Sequence, residues 1–231
     1  MTSDEATSAV QLPAFGQRTS LRQQVAHALR AAMVSGQLRP GVVYSAPMLA
    51  EKFGVSATPV REAMLDLAKE GLVEAVRNKG FRVTELSGQE LDELTSIRIL
   101  IEVPTVAAIA RDCDEELAAQ VEALRPIARL IEKCAVEIDL IGYIEADRQF
   151  HLELLSLAGN EQLVAVIGDL RARSRLFGLQ QLAERGLLSD SAREHEQLLD
   201  LVIARDAEGA AALMEQHMRH VRGDWASGAD G

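Results

Sequence analysis

The chain has 231 residues, of which 48% are hydrophobic, 26% charged and 3% aromatic, and its formal net charge is −11. This length suffices for one large or two modest domains, and the scarcity of aromatic residues favours helices. No apolar run approaches the ~18 residues of a membrane span, and the polar N-terminus lacks the features of a signal peptide, so we expect a cytoplasmic protein without membrane contact.

The charge is unevenly distributed along the chain. Residues 18–84 contain ten basic and five acidic residues, a balance of +5, whereas residues 85–231 contain 14 basic and 28 acidic residues, a balance of −14. A basic segment joined to an acidic one suggests two domains, of which the first faces a polyanion. Charge alone leaves a second interpretation open, in which the asymmetry is a chance feature of two solvated surfaces.

The first domain is predicted at residues 18–86, after a disordered tail at residues 1–17. Capping and turn residues divide this domain into three helices and a hairpin. The predicted elements are a helix from a Thr19 or Ser20 cap to about Val34, a short helix between Ser45 and Gly54, a helix from Ala57 to about Glu70, and strands at Leu72–Val76 and Phe81–Leu86. A polar turn at residues 77–80 joins the two strands.

This order of elements is that of a winged helix-turn-helix domain, whose third helix lies in the DNA major groove. The N-terminal residues of that helix reach base edges, and here they are Ser56, Thr58 and Arg61. Arg77 and Lys79, at the tip of the hairpin, are expected to contact phosphates or the minor groove. The alternative is a small helical packing module with exposed basic residues, which the pattern alone leaves open.

Two runs in this domain resemble the DNA-binding domain of GntR-type transcription regulators. They are FGVSATPVREAMLDLAKEGLV at residues 53–73 and NKGFRV at residues 78–83. The resemblance covers roughly residues 19–86 and implies a winged helix-turn-helix that binds double-stranded operator DNA. Two positions depart from the family pattern, with Ala57 where the family usually has Arg and Ala46 where it usually has Glu. Because that Arg often reads a base, the usual operator sequence does not carry over.

The second domain is predicted at residues 87–225, with a tail at residues 226–231. Capping residues and apolar periodicity define six helices, whose short connections favour an antiparallel bundle. These helices are predicted to begin at Ser87, Asp114, Asp139, Glu161, Ser189 or Asp190, and Asp206, and to end near Arg111, Val136, Ala158, Arg185, Ala204 and Trp225. Pro126 is expected to kink the second helix. The fold class of the whole chain is therefore mostly α.

One acid and three histidines of this domain have spacings that bring them together. Asp147 and His151 lie four residues apart on one helix, so their side chains leave the same face. His195 lies 11 residues before Asp206 and His217 lies 11 after it, which places them at equal height across an antiparallel helix pair. Three imidazoles and a carboxylate in a bundle core suit zinc or a similar divalent ion. The spacing alone also fits satisfied core histidines and a surface Asp–His hydrogen bond.

The same residues resemble the FCD ligand domain of the FadR-type branch of GntR regulators, in its short VanR-like, six-helix form. The matching motifs are Asp147-x-x-Phe-His151, Leu157-x-Gly-Asn160, Glu194-His195 and Ala212-Leu-Met-x-x-His217. The resemblance implies one divalent metal site, with zinc expected first and nickel or manganese as alternatives. Its four ligands are then Asp147, His151, His195 and His217.

The resemblance also implies a site for a small organic effector. In the family a helix-borne arginine near the start of the domain often holds an effector carboxylate beside the metal, and Arg98 matches that position. The structural alternative for Arg98 is an ion pair with Glu102, four residues later on the same helix. Asn160 and Arg175 are further residues that we expect to line the effector pocket.

These features together predict a homodimeric repressor that binds a palindromic operator and responds to a small organic acid held at the metal. A regulator that responds directly to the metal, without an organic effector, shares every feature of the site. A metal-dependent hydrolase is the least favoured reading, because the candidate general bases Glu153 and Glu194 diverge from the predicted ligands. We therefore expect no enzymatic activity. Cys113 and Cys134 are predicted to be free thiols.

Overall fold

The computed structural model of the chain describes residues 20–34, 36–174 and 179–226. The helices in these ranges are α1 (Leu21–Val34), α2 (Ala46–Phe53), α3 (Ala57–Lys69), α4 (Gly88–Arg111), α5 (Glu115–Glu122), α6 (Arg125–Glu137), α7 (Leu140–Ser156), α8 (Glu161–Ser174), α9 (Leu179–Glu184), α10 (Leu188–Ile203) and α11 (Ala207–Ala226). The strands are β1 (Val43–Tyr44), β2 (Val73–Val76) and β3 (Gly80–Val83). No helix among the described residues is long and apolar enough to cross a membrane. The predicted fold class, mostly α with a small hairpin, is confirmed.

The first domain is a winged helix-turn-helix in which α1, α2 and α3 enclose one apolar core. Leu29 of α1 and Leu67 of α3 are both fully buried in this core. Ser45 caps the N-terminus of α2, because its hydroxyl accepts a hydrogen bond from the backbone N–H of Met48 at 3.3 Å. Gly54 ends α2 with a φ of +66°, a left-handed conformation that lets the chain enter α3 at Ala57, only three residues later. This tight turn sets α3 against α2.

The sheet contains one strand that the sequence did not predict. Its strand order is β1-β3-β2, and both pairs are antiparallel. The two residues of β1, Val43 and Tyr44, are too few to produce an alternating pattern, and they form a strand only by pairing with Arg82 and Phe81 of β3. Gly80 permits this pairing, since a Cβ there would lie 2.3 Å from the carbonyl oxygen of Tyr44.

The second domain is all helical in the described residues, and the capping box predicted at Ser87 is present. The Ser87 hydroxyl accepts the backbone N–H of Glu90 at 3.2 Å, while the Glu90 carboxylate accepts the backbone N–H of Ser87 at 2.8 Å. This capping box fixes the start of α4. The hydrogen bonds from the Ser87 backbone and hydroxyl hold the pKa of Glu90 below its ordinary value.

Two of the predicted helices consist of two segments each. The stretch predicted as one kinked helix from Asp114 contains α5 and α6, and Pro126 lies in the first turn of α6 rather than at a kink. A proline is tolerated there because the first turn of a helix needs no intrahelical N–H donor. The stretch predicted as one helix from Glu161 to about Arg185 contains α8 and α9, and residues 175–178 between them lie outside the described ranges.

The two domains have separate apolar cores, and α7 contributes to both. Ile141, in its first turn, is 8% exposed and belongs to the core of the first domain, whereas Phe150 and Leu154 are fully buried in the core of the second. Cys113 and Cys134 are buried free thiols, as predicted, and burial raises the pKa of both. Helix α7, which carries two of the four predicted metal ligands, therefore also packs against the DNA-binding domain.

Candidate metal site and DNA-binding surface

The four predicted metal ligands lie together in the core of the second domain. Asp147 and His151 occupy successive turns of α7, while the turn between α10 and α11 brings the rings of His195 and His217 into T-shaped contact, with centroids 4.7 Å apart. One donor atom from each of the four side chains lies within 4.8 Å of the other three. We call these four residues the donor cluster. The equal spacing of the two histidines from Asp206 predicted this arrangement correctly.

The donor cluster is closed to solvent. Its four residues are between 0% and 3% exposed. Phe150, between the two ligand positions of α7, presents its ring edge-on to His151 and His195 at centroid distances of 5.3 and 4.9 Å. Buried ionisable groups in such an apolar setting require paired charges or a coordinated cation.

Hydrogen bonds orient two of the imidazoles with their Nε2 atoms as the available metal donors. Nδ1 of His195 lies 3.0 Å from the carbonyl oxygen of Ala192, which can only accept, so Nδ1 carries the proton. Nδ1 of His217 lies 2.7 Å from Oε2 of Glu194. Partners of this kind fix the tautomer and the ring orientation of metal-binding histidines.

The resulting donor set fits a divalent cation. Oδ1 of Asp147 lies 3.2 Å from Nε2 of His195 and 3.7 Å from Nε2 of His151. These three atoms are close enough to bind one shared cation. Imidazole nitrogens and one carboxylate oxygen are the ligands that zinc and related divalent ions take in proteins.

A second set of charges, which we call the buried ion network, lies directly behind Asp147. Arg171 donates from Nη1 to Oδ2 of Asp147 at 3.3 Å and from Nε to Oε2 of Glu102 at 3.2 Å. Arg98 donates from Nε to Oε1 of Glu102 at 2.8 Å and from Nη1 to the hydroxyl of Ser174 at 3.4 Å. The network thus comprises Arg98, Glu102, Arg171 and Asp147, each at most 4% exposed. It turns Oδ2 of Asp147 away from the histidines and leaves Oδ1 facing them.

The charges in this network determine the ionisation of Glu102. Burial by itself raises the pKa of a carboxyl group, but the charges of Arg171 and Arg98 and their hydrogen bonds outweigh that effect. The pKa of Glu102 therefore lies below its ordinary value, and Glu102 is a carboxylate that bridges two guanidinium groups.

Of the three predicted effector residues, the structure describes Arg98 and Asn160, and their surroundings differ. Arg98 is buried and forms the ion pair with Glu102 that was its alternative role. Asn160 is exposed and caps α8, since its side-chain oxygen accepts the backbone N–H of Leu163 at 3.0 Å. Arg175 lies outside the described residues. The effector assignments of all three remain predictions.

Two residues that sequence reasoning did not assign to the site have clear positions in it. Arg171 lacks any local sequence signal, because its partners lie 69 and 24 residues away along the chain. Glu194 diverges from His195, as expected, but it reaches His217 on the neighbouring helix. Its position next to a ligand histidine was the one signal that pointed to a supporting role. Glu153 is hydrogen-bonded to Gln149 instead.

The predicted DNA-binding residues lie on one exposed helix end and one hairpin. Ser56, Thr58 and Arg61 are exposed around the first turn of α3. Arg77 and Lys79 are exposed in the three-residue turn between Val76 and Gly80, which are paired across β2 and β3. Asn78 at the centre of the turn has a φ of +60°, which Asn tolerates better than most residues.

Two ion pairs brace α1 against α3. Arg30 donates to both oxygens of Glu70 at 2.7 and 3.0 Å, and Arg22 forms a bidentate pair with Asp66. The hydrogen bond from Arg22 lowers the pKa of Asp66 below its ordinary value. These contacts fix the orientation of α3, the helix that presents the predicted base-reading side chains.

A winged helix-turn-helix joined to a helical domain is an architecture of DNA-binding transcription regulators. Residues 93–220 match the family model of the FCD domain. Residues 21–83 match the family model described as "Bacterial regulatory proteins, gntR family". The chain therefore belongs to the gntR family of bacterial regulatory proteins that carry an FCD domain. It is a DNA-binding transcription regulator and not an enzyme.

Named relatives extend over both domains. The chain is 30% identical to the HTH-type transcriptional repressor GlaR of Escherichia coli (strain K12), over 80% of this chain and 87% of GlaR. It is also 30% identical to the HTH-type transcriptional regulator McbR of the same organism, over 86% of this chain and 91% of McbR. A solved structure of E. coli McbR/YncC has a TM-score of 0.65 at 27% identity, covering 88% of this chain and 95% of that chain.

Proposed function

We propose that the protein is a homodimeric repressor whose operator affinity is set by a small organic acid bound at a divalent metal in the donor cluster. The observation that carries this proposal is the burial of three imidazoles and a carboxylate with their donor atoms within 4.8 Å of one another. The supporting bonds from Ala192 and Glu194 add to it, because they orient His195 and His217 as ligands.

The charge balance of the site supports an anionic effector. The buried ion network is neutral, because its two guanidinium groups and two carboxylates cancel. A divalent ion held beside neutral imidazoles adds two positive charges, of which Glu194 offsets one. When bound, the metal supplies an electrophilic position for an anionic oxygen. A small carboxylate balances the remaining charge in this dry environment.

Arg98 is the residue that we propose to hold the effector carboxylate. Arg98 lies at the end of the buried ion network. Its Nε donates to Glu102, and its Nη1 makes only a long contact of 3.4 Å with the Ser174 hydroxyl. A carboxylate is a stronger acceptor for a guanidinium than a hydroxyl group is. Glu102 holds Arg98 in position while the effector takes the outer nitrogen atoms.

The outer face of α4 supports the homodimer. Ile97 is 43% exposed and Leu100 is 75% exposed, and Pro104 is exposed on the following turn. Spacings of three and four residues place these side chains on one face of the helix. An apolar stripe in water is stabilised by pairing with a second copy, and a two-fold dimer matches a palindromic operator. Repression is proposed from the likeness to GlaR, which is named a repressor.

A direct metal-responsive regulator is the second candidate. The observation that favours it is the number of protein donors, because four satisfy the tetrahedral coordination of zinc and leave no position for an effector. In that case the metal alone changes operator affinity. An organic acid has no further effect.

An operator-binding titration tests the proposal and separates the two candidates. Operator fragments are first selected from random duplex DNA with the full chain, and affinity is then measured for metal-free protein, zinc-loaded protein, and zinc-loaded protein with a panel of small mono- and dicarboxylic acids. We expect at least one acid to weaken binding about fivefold or more in the zinc-loaded protein only. A response to zinc without any acid response supports the second candidate. Affinity independent of both overturns the proposal.

A further inference from the structure

Helix α7 connects the two domains, because its first turn packs into the DNA-binding domain and its later turns carry residues of the donor cluster. Ile141 in its first turn packs into the core of the DNA-binding domain, together with the partly buried Ile144. One turn further on, Asp147 and His151 enter the donor cluster. This segment contains no proline, so a displacement at the cluster is carried along the helix to its first turn.

Glu145 forms a polar link between α7 and the DNA-binding domain. Its Oε1 lies 3.5 Å from Nδ1 of His27 and 3.9 Å from Nη1 of Arg30, both on α1. Arg30 also binds Glu70, the residue that ends α3. One guanidinium group thus connects α7 to the C-terminal end of the helix that presents the base-reading side chains.

A second contact between the domains comes from α8. Gly71 directly follows Glu70 at the end of α3 and has a φ of +75°. A Cβ at Gly71 would lie 3.0 Å from Cγ of Arg173, so the Arg173 side chain packs directly on this turn. Both links therefore meet the DNA-binding domain at the same end of α3.

The two links are arranged symmetrically about one buried ion pair. Asp147 and Arg171 form that pair, with Oδ2 and Nη1 3.3 Å apart, between α7 and α8. Glu145 lies two residues before Asp147, and Arg173 lies two residues after Arg171. Residues two apart on a helix point in directions about 200° apart, so the inner pair faces the cluster while the outer pair faces the DNA-binding domain.

We infer that the α7–α8 pair transmits the state of the donor cluster to α3, with Glu145 and Arg173 as the positioning residues at its outer surface. The inference rests on the proposed function, because it needs a metal at Asp147. A cation that draws Oδ1 of Asp147 towards the histidines changes the position of α7 relative to Arg171 on α8. The change reaches α3 through Glu145, by way of Arg30, and through Arg173.

Hydrogen exchange in the full chain tests this coupling without requiring an identified effector. Exchange in α1 and at the end of α3 is compared between chelator-treated and zinc-loaded protein, in the parent chain and in the Glu145→Gln/Arg173→Ala double variant. Glu161→Gln, an exposed change on α8, is the matched control. Zinc content per chain is measured for every sample, and the two single variants are included in case the double variant folds poorly.

We expect zinc to change exchange in α1 and at the end of α3 about fivefold or more in the parent and control chains. In the double variant the change falls below about twofold, while zinc content stays the same. An undiminished zinc effect in the double variant overturns the coupling. Zinc that binds the parent chain without altering α1 or α3 overturns the coupling alone. A parent chain that binds no zinc overturns the proposed metal site.

Discussion

The two domains place their charged residues in opposite ways. In the DNA-binding domain the cations predicted to contact DNA, such as Arg61 and Lys79, are exposed and face solvent. In the helical domain the charges of the proposed site are buried, with Glu102 and Asp147 at 0% exposure and Arg171 at 1%. Exposed charges act on a polyanion through solvent and are screened by salt, whereas buried charges must be paired and hold neighbouring groups in fixed positions.

This difference predicts different consequences for mutations in the two regions. Changes in the buried set are expected to alter stability and the geometry of the metal ligands. Changes in the exposed set are expected to alter DNA affinity and leave the fold intact. The element that joins the two sets is α7, because it contributes to both apolar cores.

The largest effect is expected from Arg171→Met. This change leaves Glu102 and Asp147 buried without their shared cation, and breaking a buried pair in this way costs about 3–5 kcal/mol. Urea denaturation of the metal-free chain measures the loss. Arg193→Met, at a side chain that is 56% exposed, is the control and is expected to change the free energy of unfolding by less than about 0.5 kcal/mol. Equal losses in the two variants would refute the distinction between the buried and exposed sets.

Leu100→Asp is expected to have the next largest effect, through the dimer. Leu100 is 75% exposed, so a charge there leaves the fold of the chain intact while it disfavours an apolar interface. A monomer engages one half-site at a time, and the loss of the second contact weakens operator binding about 100-fold. Light scattering measures the mass of the protein in solution, and titration with a selected operator fragment measures its affinity for DNA. A dimer that persists in this variant would place the interface elsewhere.

Arg61→Ala is expected to weaken operator binding about 10- to 100-fold, because Arg61 is exposed near the start of α3, where base edges are read. The circular dichroism spectrum and zinc content stay unchanged. The same titration with Arg193→Ala serves as the control. If Arg61→Ala binds the operator as tightly as the parent chain, the reading surface lies elsewhere on the domain.

Acidification is expected to act on the buried set through Glu102. Its folded-state pKa is lowered, so it contributes stability that is present above the ordinary Glu pKa of about 4.3 and is lost as the pH falls through the folded pKa. Unfolding of metal-free protein should therefore depend on pH more steeply in the parent chain than in Glu102→Gln below about pH 4.3. If the free energy of unfolding depends on pH equally in the two chains, Glu102 has the same pKa in the folded and unfolded states.

Local patterns predicted most of the fold and the donor cluster. The positions of His195 and His217 were predictable because helix periodicity and one turn at Asp206 determine their relative height. Pro126 was assigned to a kink, since a proline in a helical pattern looks the same whether it bends one helix or begins another. β1 and the position of Arg171 were not predictable, because both depend on partners distant in sequence.

The metal content of the purified chain tests the central claim most directly. Zinc, nickel and manganese are measured per chain in the parent protein and in the His195→Ala/His217→Ala double variant. The donor cluster predicts about one divalent ion per chain in the parent protein and almost none in the double variant, which keeps too few ligands for tight binding. Undiminished metal in the double variant would contradict the account, because the ion would then be held by other residues.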